Sequence, residues 1–339
     1  MQSGTYKEMS KTRKAAATAS LAALLSAGIG RRIANLRDGQ PETTATSALV
    51  LGSGGLLGVA WHAATLTRLE REGVWHPDEN DLRVGTSAGS LVAVLMGAGV
   101  SLDSIVKLFS GGTVEFKGKT FTAPALPDPV AEATALDPWF ALRALRHGLL
   151  PHIGSVVSSL LPEGATSNED IHEFVQSISS GTWPQVTTWV TASDAVTGKR
   201  KVFDGSCGTT PGQAVAASCA VPGLYRPVVI SESNYIDGGA ISSMHLDLAL
   251  RSGASTIRVL SPIAGFSSLS RKDSGLRTAT KLVRNTEQLA LIAAQARALA
   301  TGTSFHVHTP RPAEARLLTA GALMDVSRLD ALIEATLTP

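Results

Sequence analysis

Ala48-Leu49-Val50-Leu51 is apolar at every position, the pattern of a strand buried on both faces of a parallel sheet. It runs directly into Gly52-Ser53-Gly54-Gly55-Leu56-Leu57-Gly58. From Val59 to Glu72 the apolar positions Val59, Ala63, Leu66 and Leu69 recur at helical spacing, while Arg68, Glu70, Arg71 and Glu72 fall mostly outside that face. Gly73 ends the helix, Asp81-Leu82-Arg83-Val84 reads as the next strand, and Ala88 to Gly97 is a compact helix of Ala, Leu, Val and Met. Strand, helix and strand in this order predict a right-handed crossover with the two strands parallel. Their C-terminal ends then share one edge of the sheet, which sets the glycine-rich loop beside the residues that follow Val84.

Later segments extend the same pattern. Thr187 to Ala192 predicts a strand, with Lys201-Val202-Phe203 as its hairpin partner across the Thr197-Gly198 turn. A short helix from Pro211 to Ala220 precedes a second hairpin, Tyr225 to Ile230 with Asn234 to Ile236, which runs into Asp237-Gly238-Gly239. A helix near Ser243–Arg251 and a strand at Thr256–Leu260 follow, then a helix over Leu276–Ala300, a strand at Ser304–Val307 and helical sequence over Ala313–Leu337. From Ser101 to Pro184 prolines interrupt the pattern. That region holds a strongly apolar stretch over 139–161, where a lid or acyl-chain pocket would lie, although core packing is the expected role for most of its side chains.

The first 45 residues differ from the rest. Lys7, Lys11, Arg13 and Lys14 precede an Ala-rich run, and Leu21, Leu25, Ile29, Ile33 and Leu36 recur at helical spacing with Arg31, Arg32 and Arg37 among them. Three readings stay open: a helix docked on the domain or solvated, a helix on an anionic membrane surface, and a signal peptide cut near Ser26-Ala27-Gly28. The expected localisation is therefore cytoplasmic with peripheral membrane contact, through this helix or the 139–161 stretch, and secretion is the other reading.

Composition narrows the function classes. A 339-residue chain with 44% hydrophobic and 17% charged residues can bury a sizeable core. A net charge of +2 and 5% aromatic residues argue against nucleic-acid partners. Cys207 and Cys219 are the only cysteines, too few for a disulfide framework, and none of the eight histidines has metal-ligand spacing. No cofactor and no metal are expected. No apolar run reaches membrane-spanning length.

The chemistry concentrates at Gly85-Thr86-Ser87-Ala88-Gly89, a G-x-S-x-G sequence set between a strand and a helix. A strand that turns at once into a helix strains the residue at the turn and exposes its side chain. Small neighbours, Gly85 and Gly89 among them, let the backbone pass, and the first helical N–H groups point at whatever bonds to Ser87. Gly54 and Gly55, beside it, fit an oxyanion hole better than a phosphate cradle. Ser53 and Leu57 break the G-x-G-x-x-G spacing, no acidic residue ends the next strand, and no Lys-Ser/Thr pair follows. Asp237 sits at a strand end, where Gly238 and Gly239 permit close backbone approach; read alone, it is an ordinary Asp-Gly turn.

Together these stretches resemble the patatin-like phospholipase family. The likeness rests on the loop 52–58 with its helix, on Gly85-Thr86-Ser87-Ala88-Gly89-Ser90, on Ala217-Ser218-Cys219-Ala220-Val221-Pro222-Gly223-Leu224, and on Tyr235-Ile236-Asp237-Gly238-Gly239, in family order. The resemblance implies an α/β fold, a three-layer α/β/α sandwich with a mostly parallel central sheet. It implies a Ser–Asp dyad in which Ser87 is the nucleophile and Asp237 its base, with Gly54 and Gly55 forming the oxyanion hole and Gly85, Gly89, Gly238 and Gly239 in support. The expected function is a lipid acyl hydrolase acting on a lipid or ester substrate through an acyl-enzyme. The expected organisation is a basic N-terminal helix and linker (1–45), a catalytic domain (46–265, with 101–185 as the lid region) and a C-terminal helical extension packed on it (266–339).

The chain also departs from the family pattern. Leu57 stands where Arg or Lys is usual, Ser53 where the first glycine is usual, and Ser242 and His245 where Asn and Pro are frequent. The first departure removes a cation near the hole and leaves a neutral ester or lysolipid open as substrate. Two other readings compete: an α/β-hydrolase triad completed by His306 or His308, and a lipid-binding or scaffold protein without activity. An acyltransferase would use the same acyl-enzyme.

Overall fold

The computed structural model describes residues 43–124, 164, 166–265, 276–319 and 322–338, the side chains of 276–283 and 286 excepted. The N-terminal helix and the 139–161 stretch lie outside the described residues.

β1 (Ser47–Leu51) lies in the middle of the sheet, parallel to β2 (Leu82–Thr86) on one side and to β9 (Thr256–Leu260) on the other. β2 continues to the long β5 (Thr187–Asp194), again parallel, and β9 to β10 (Ser304–His308) at the parallel edge. Three shorter strands run antiparallel at the β5 side: β6 (Arg200–Phe203), β7 (Val228–Ile230) and β8 (Ser233–Asp237). The order is β10-β9-β1-β2-β5-β8-β7, with β6 also paired to β5. β3 (Thr113–Phe116) and β4 (Lys119–Thr122) form a separate hairpin.

The all-apolar β1 is explained by two cores. Leu49 and Leu51 point into one and Ala48 and Val50 into the other, as the two-residue period of a strand requires. The first core packs α1 (Gly55–Arg71), α2 (Ala88–Gly97), α3 (Leu102–Phe109), α4 (Glu169–Ser179), α5 (Pro211–Ser218) and α9 (Leu329–Leu337) on one face. The second packs α6 (Leu246–Arg251) and α7 (Leu276–Ala300) on the other. The result is a mixed α/β fold with a mostly parallel sheet between two helical layers. After β10 the chain returns through α8 (Pro312–Leu317) so that α9 lies against α1.

Several boundaries differ from the sequence expectation: β2 is Leu82–Thr86 rather than Asp81–Val84, and β7 starts at Val228 rather than Tyr225. α1 starts at Gly55 rather than Val59, so the second half of the glycine-rich stretch is the first turn of the helix. Burial accounts for the missed turn: Leu56, Leu57, Gly58 and Val59 are all covered, so no polar face marks where the helix begins. β10 lies in the main sheet, so residues after 266 contribute a strand to it as well as helices.

Candidate active site

β5 carries the arrangement. Thr191 pairs with Thr86 of β2 and with Val202 of β6, so β2 and β6 occupy opposite edges of β5. Ala192 pairs with Lys201 of β6 and with Asp237 of β8, so β8 lies on the same edge as β2. β2 runs parallel to β5 and β8 antiparallel, and the two therefore run head-on along one edge. One ends opposite Thr191 and the other opposite Ala192. Ser87 and Asp237 are brought together by this meeting of strand ends.

Ser87 has φ 52° and ψ −121°, a positive-φ conformation that costs a non-glycine residue about 1–3 kcal/mol. Hydrogen bonds from several elements hold it. The Ser87 N–H donates to Ser218 Oγ at 2.8 Å, and the Ser218 hydroxyl donates to the Thr191 carbonyl at 2.7 Å. The Ser90 hydroxyl donates to the Ser87 carbonyl at 2.7 Å. Gly85 is the next-to-last residue of β2, and Gly89 lies in the first turn of α2, where a Cβ would sit 2.0 Å from the Leu51 carbonyl oxygen. Only glycine lets α2 pass so close to β1.

Asp237 ends β8, its N–H donating to the Ala220 carbonyl at 2.9 Å and its Oδ1 accepting the Gly239 N–H at 2.6 Å. Gly238 and Gly239 form the tight turn that follows. Burial pushes the Asp237 carboxyl up to about 6, against the opposing pull of the Ser87 hydroxyl and the Gly239 N–H, which hydrogen-bond its charged form. A carboxylate held this way accepts a proton more readily than one in water.

Gly54 is the N-cap of α1, and Gly55, at φ 60°, is its first residue. The Leu57 N–H donates to the Leu323 carbonyl at 3.0 Å. The N–H groups of Gly54, Gly55 and Leu56 make no hydrogen bond among the described residues, and neither does that of Ala88 at the start of α2. Gly55, Leu56, Ser87 and Ala88 line one cavity of about 50 Å³ that opens to solvent. Two helix N-termini thus bring free donors to the cavity that Ser87 lines. The rest of the lining is almost entirely apolar and includes Val59, Leu91, Phe109, Ile171 and Met324, with no charged side chain among the described residues.

Two contributors are not apparent from sequence. Ser218 is one. Cys219 is the other: its thiol lies at the Ser87 and Ser90 hydroxyls, and burial together with the Asp237 charge raises its pKa, so it stays a neutral thiol. The run Ala217-Ser218-Cys219-Ala220 was the available signal, since small residues there let α5 end against the elbow.

The departures have concrete positions. Leu57 is fully buried in the core and does not line the cavity, so this position brings no cation to it. The Ser53 hydroxyl is buried without a partner among the described residues, while its N–H donates to the Ser243 carbonyl at 2.8 Å. His245 is buried at φ 46°, its Nε2 at 3.1 Å from the Gly238 carbonyl and its Nδ1 at 3.3 Å from Arg200, which is itself paired with Asp247. Ser242 Oγ accepts the His245 N–H at 3.1 Å. His306 and His308 lie on β10, three strands from β2 and so about 14 Å away across the sheet. His308 is turned to Arg258 at 2.8 Å, and burial and that guanidinium hold its pKa down at about 4. His306 bonds Ser304.

Residues 49–250 match the family model described as patatin-like phospholipase. Among solved structures, VipD from Legionella pneumophila is similar with 13% identity and a TM-score of 0.37, over 88% of this chain and 68% of that one. The type III effector protein ExoU is similar with 14% identity and a TM-score of 0.27, over 77% of this chain and 54% of that one. A search of curated proteins found no match.

Proposed function

Because this chain belongs to the patatin-like phospholipase family, we propose that it is a lipid acyl hydrolase that cleaves its ester through an acyl-enzyme on Ser87. Asp237 takes the Ser87 proton as Oγ attacks the ester carbonyl carbon. The charge that develops on the carbonyl oxygen is met by the free N–H groups of Gly54 and Gly55 at the start of α1 and of Ala88 at the start of α2. Collapse of this intermediate breaks the ester bond, and the departing alcohol takes its proton from Asp237. Asp237 then draws a proton from water, whose oxygen attacks the acyl carbon, and the released Ser87 oxygen takes that proton back.

The observation that carries this reading is the meeting of Ser87 and Asp237 along one edge of β5, with the carboxyl raised to about 6. A base with a pKa near the working pH is better suited to the task than an ordinary carboxylate. The distance of His306 and His308 from β2 speaks against a triad built on either of them. With no charged side chain among the described residues of the cavity lining, the acyl part that fits there is an uncharged hydrocarbon chain. Among the described residues no helix is long and apolar enough to cross a membrane. We propose that access to lipid is peripheral, through the basic N-terminal helix or the 139–161 stretch.

The test is ester turnover by the purified chain and its Ser87→Ala variant. Loss of turnover in a folded Ser87→Ala protein is expected. Turnover that persists would remove Ser87 from the chemistry, and a wild-type chain inert toward every ester would favour the scaffold reading.

A further inference from the structure

The cavity beside Ser87 has one wall that comes from outside the family-matched region. Among its described lining residues only Met324 lies beyond residue 250, in the turn between α8 and α9. That turn sits on the start of α1. The Leu323 carbonyl accepts the Leu57 N–H at 3.0 Å, and a Cβ on Gly55 would lie 2.9 Å from the Leu323 oxygen and 3.1 Å from Met324 Sδ. The turn is fastened to α1 a second time, by the buried Glu314, which accepts Trp61 Nε1–H at 2.9 Å and Arg311 Nε–H at 2.6 Å. Arg311 in turn reaches the Thr336 carbonyl at 3.0 Å near the end of α9. The C-terminal segment is therefore a strap across the first turns of α1, and Met324 is the point where it enters the site.

We propose that Met324 is a specificity-determining residue, setting the length and width of the hydrocarbon chain that lies in this cavity; the inference rests on the acyl-hydrolase reading of the site. The other walls are fixed by core packing. Leu56, Val59, Leu91, Phe109 and Ile171 all belong to helices of the first core. Met324 is partly buried, packs against that core from its rim and is unbranched, so its thioether can follow a bound chain in a way the helix-borne walls cannot. Shortening it widens the cavity beside Gly55, and a larger ring there narrows it. Since Met324 supplies no proton and no charge, the effect falls on which chains fit.

The experiment is a short- to long-chain series of p-nitrophenyl esters with wild type, Met324→Ala and Met324→Trp, together with labelling of each by a small fluorophosphonate. We expect Met324→Trp to lose about tenfold or more in kcat/KM on long chains relative to its change on the shortest ester, with labelling by the small probe reporting whether Ser87 still reacts. Met324→Ala should move the optimum toward longer or bulkier chains. Chain-length profiles that superimpose on wild type, with labelling intact, would overturn the proposal. A parallel measurement with no chemistry in it separates the two claims: displacement of a fluorescent fatty acid from Ser87→Ala and from Ser87→Ala with Met324→Trp, by fatty acids of increasing length. A shift in the displacement series between these two proteins supports the role of Met324 even where the serine mechanism fails, and identical series contradict it.

Discussion

Ser87 and Asp237 each keep a state that costs the fold something, and the two costs make the residue-scale predictions. The Asp237 carboxyl rises from 3.8 to about 6 on folding, with burial as the main cause. A folded value above the unfolded one means the group favours the fold below about pH 4, and that contribution is lost as pH rises through about 6. At neutral pH the ionised Asp237 therefore weighs against the fold. Asp237→Asn should raise stability there by about 1–3 kcal/mol while turnover falls by about a thousandfold. A structural turn residue would lose stability on the same change, so urea unfolding at pH 7 separates the roles. The same carboxyl predicts that kcat/KM falls as pH drops below about 6, because the base is then protonated; a flat profile from pH 5 to 8 would contradict it. Histidine is expected to matter little. His306→Ala and His308→Ala should keep turnover within about tenfold of wild type, about 1.4 kcal/mol in barrier. His245→Ala should stay in that range too, with a loss of stability from the bond to the Gly238 carbonyl. A thousandfold loss in any of these folded variants would revive the triad.

Elements were legible in sequence to the extent that burial left a periodic trace. β1, buried on both faces, stood out by being apolar throughout, and the β1–α1–β2 crossover followed from order alone. The start of α1 was hidden because its first turn is covered on all sides. The supports of the elbow were hidden for another reason: Ser218 reaches Ser87 across 131 positions, and nothing local at either residue encodes that bond. Likewise, the Asp237-Gly238 sequence gives no sign that β8 shares an edge of β5 with β2; only the pairing register does. The family resemblance named Ser87 and Asp237, whereas sequence spacing alone left Asp237 as a turn. At this scale the contact between α2 and β1 makes a firm prediction. Gly89→Ala would place a Cβ 2.0 Å from the Leu51 carbonyl oxygen, against backbone that cannot yield without moving the central strand. The variant should fail to give folded protein by circular dichroism, and a well-folded Gly89→Ala protein would show the elbow to be looser than described.

Across the whole molecule, the site draws on both ends of the described chain. β1 and β2 come early, β8 comes from the middle, and the strap that seats on α1 comes last. The family-matched region thus depends on residues well beyond it. Glu314→Gln keeps the size of the side chain but removes the charge that holds Arg311 against Trp61, and should cost about 1–3 kcal/mol in urea unfolding. An unchanged unfolding midpoint would mean that the strap rests on α1 without stabilising it. An acyl-enzyme on Ser87, formed with Asp237 as base, can be tested by trapping the serine. The intact protein is treated with a fluorophosphonate across a pH series, and the adduct is located by peptide mass spectrometry. One adduct on Ser87 is predicted, absent from Ser87→Ala, and forming more slowly as pH falls through about 6. An adduct on another residue, or labelling that persists in Ser87→Ala, would contradict it.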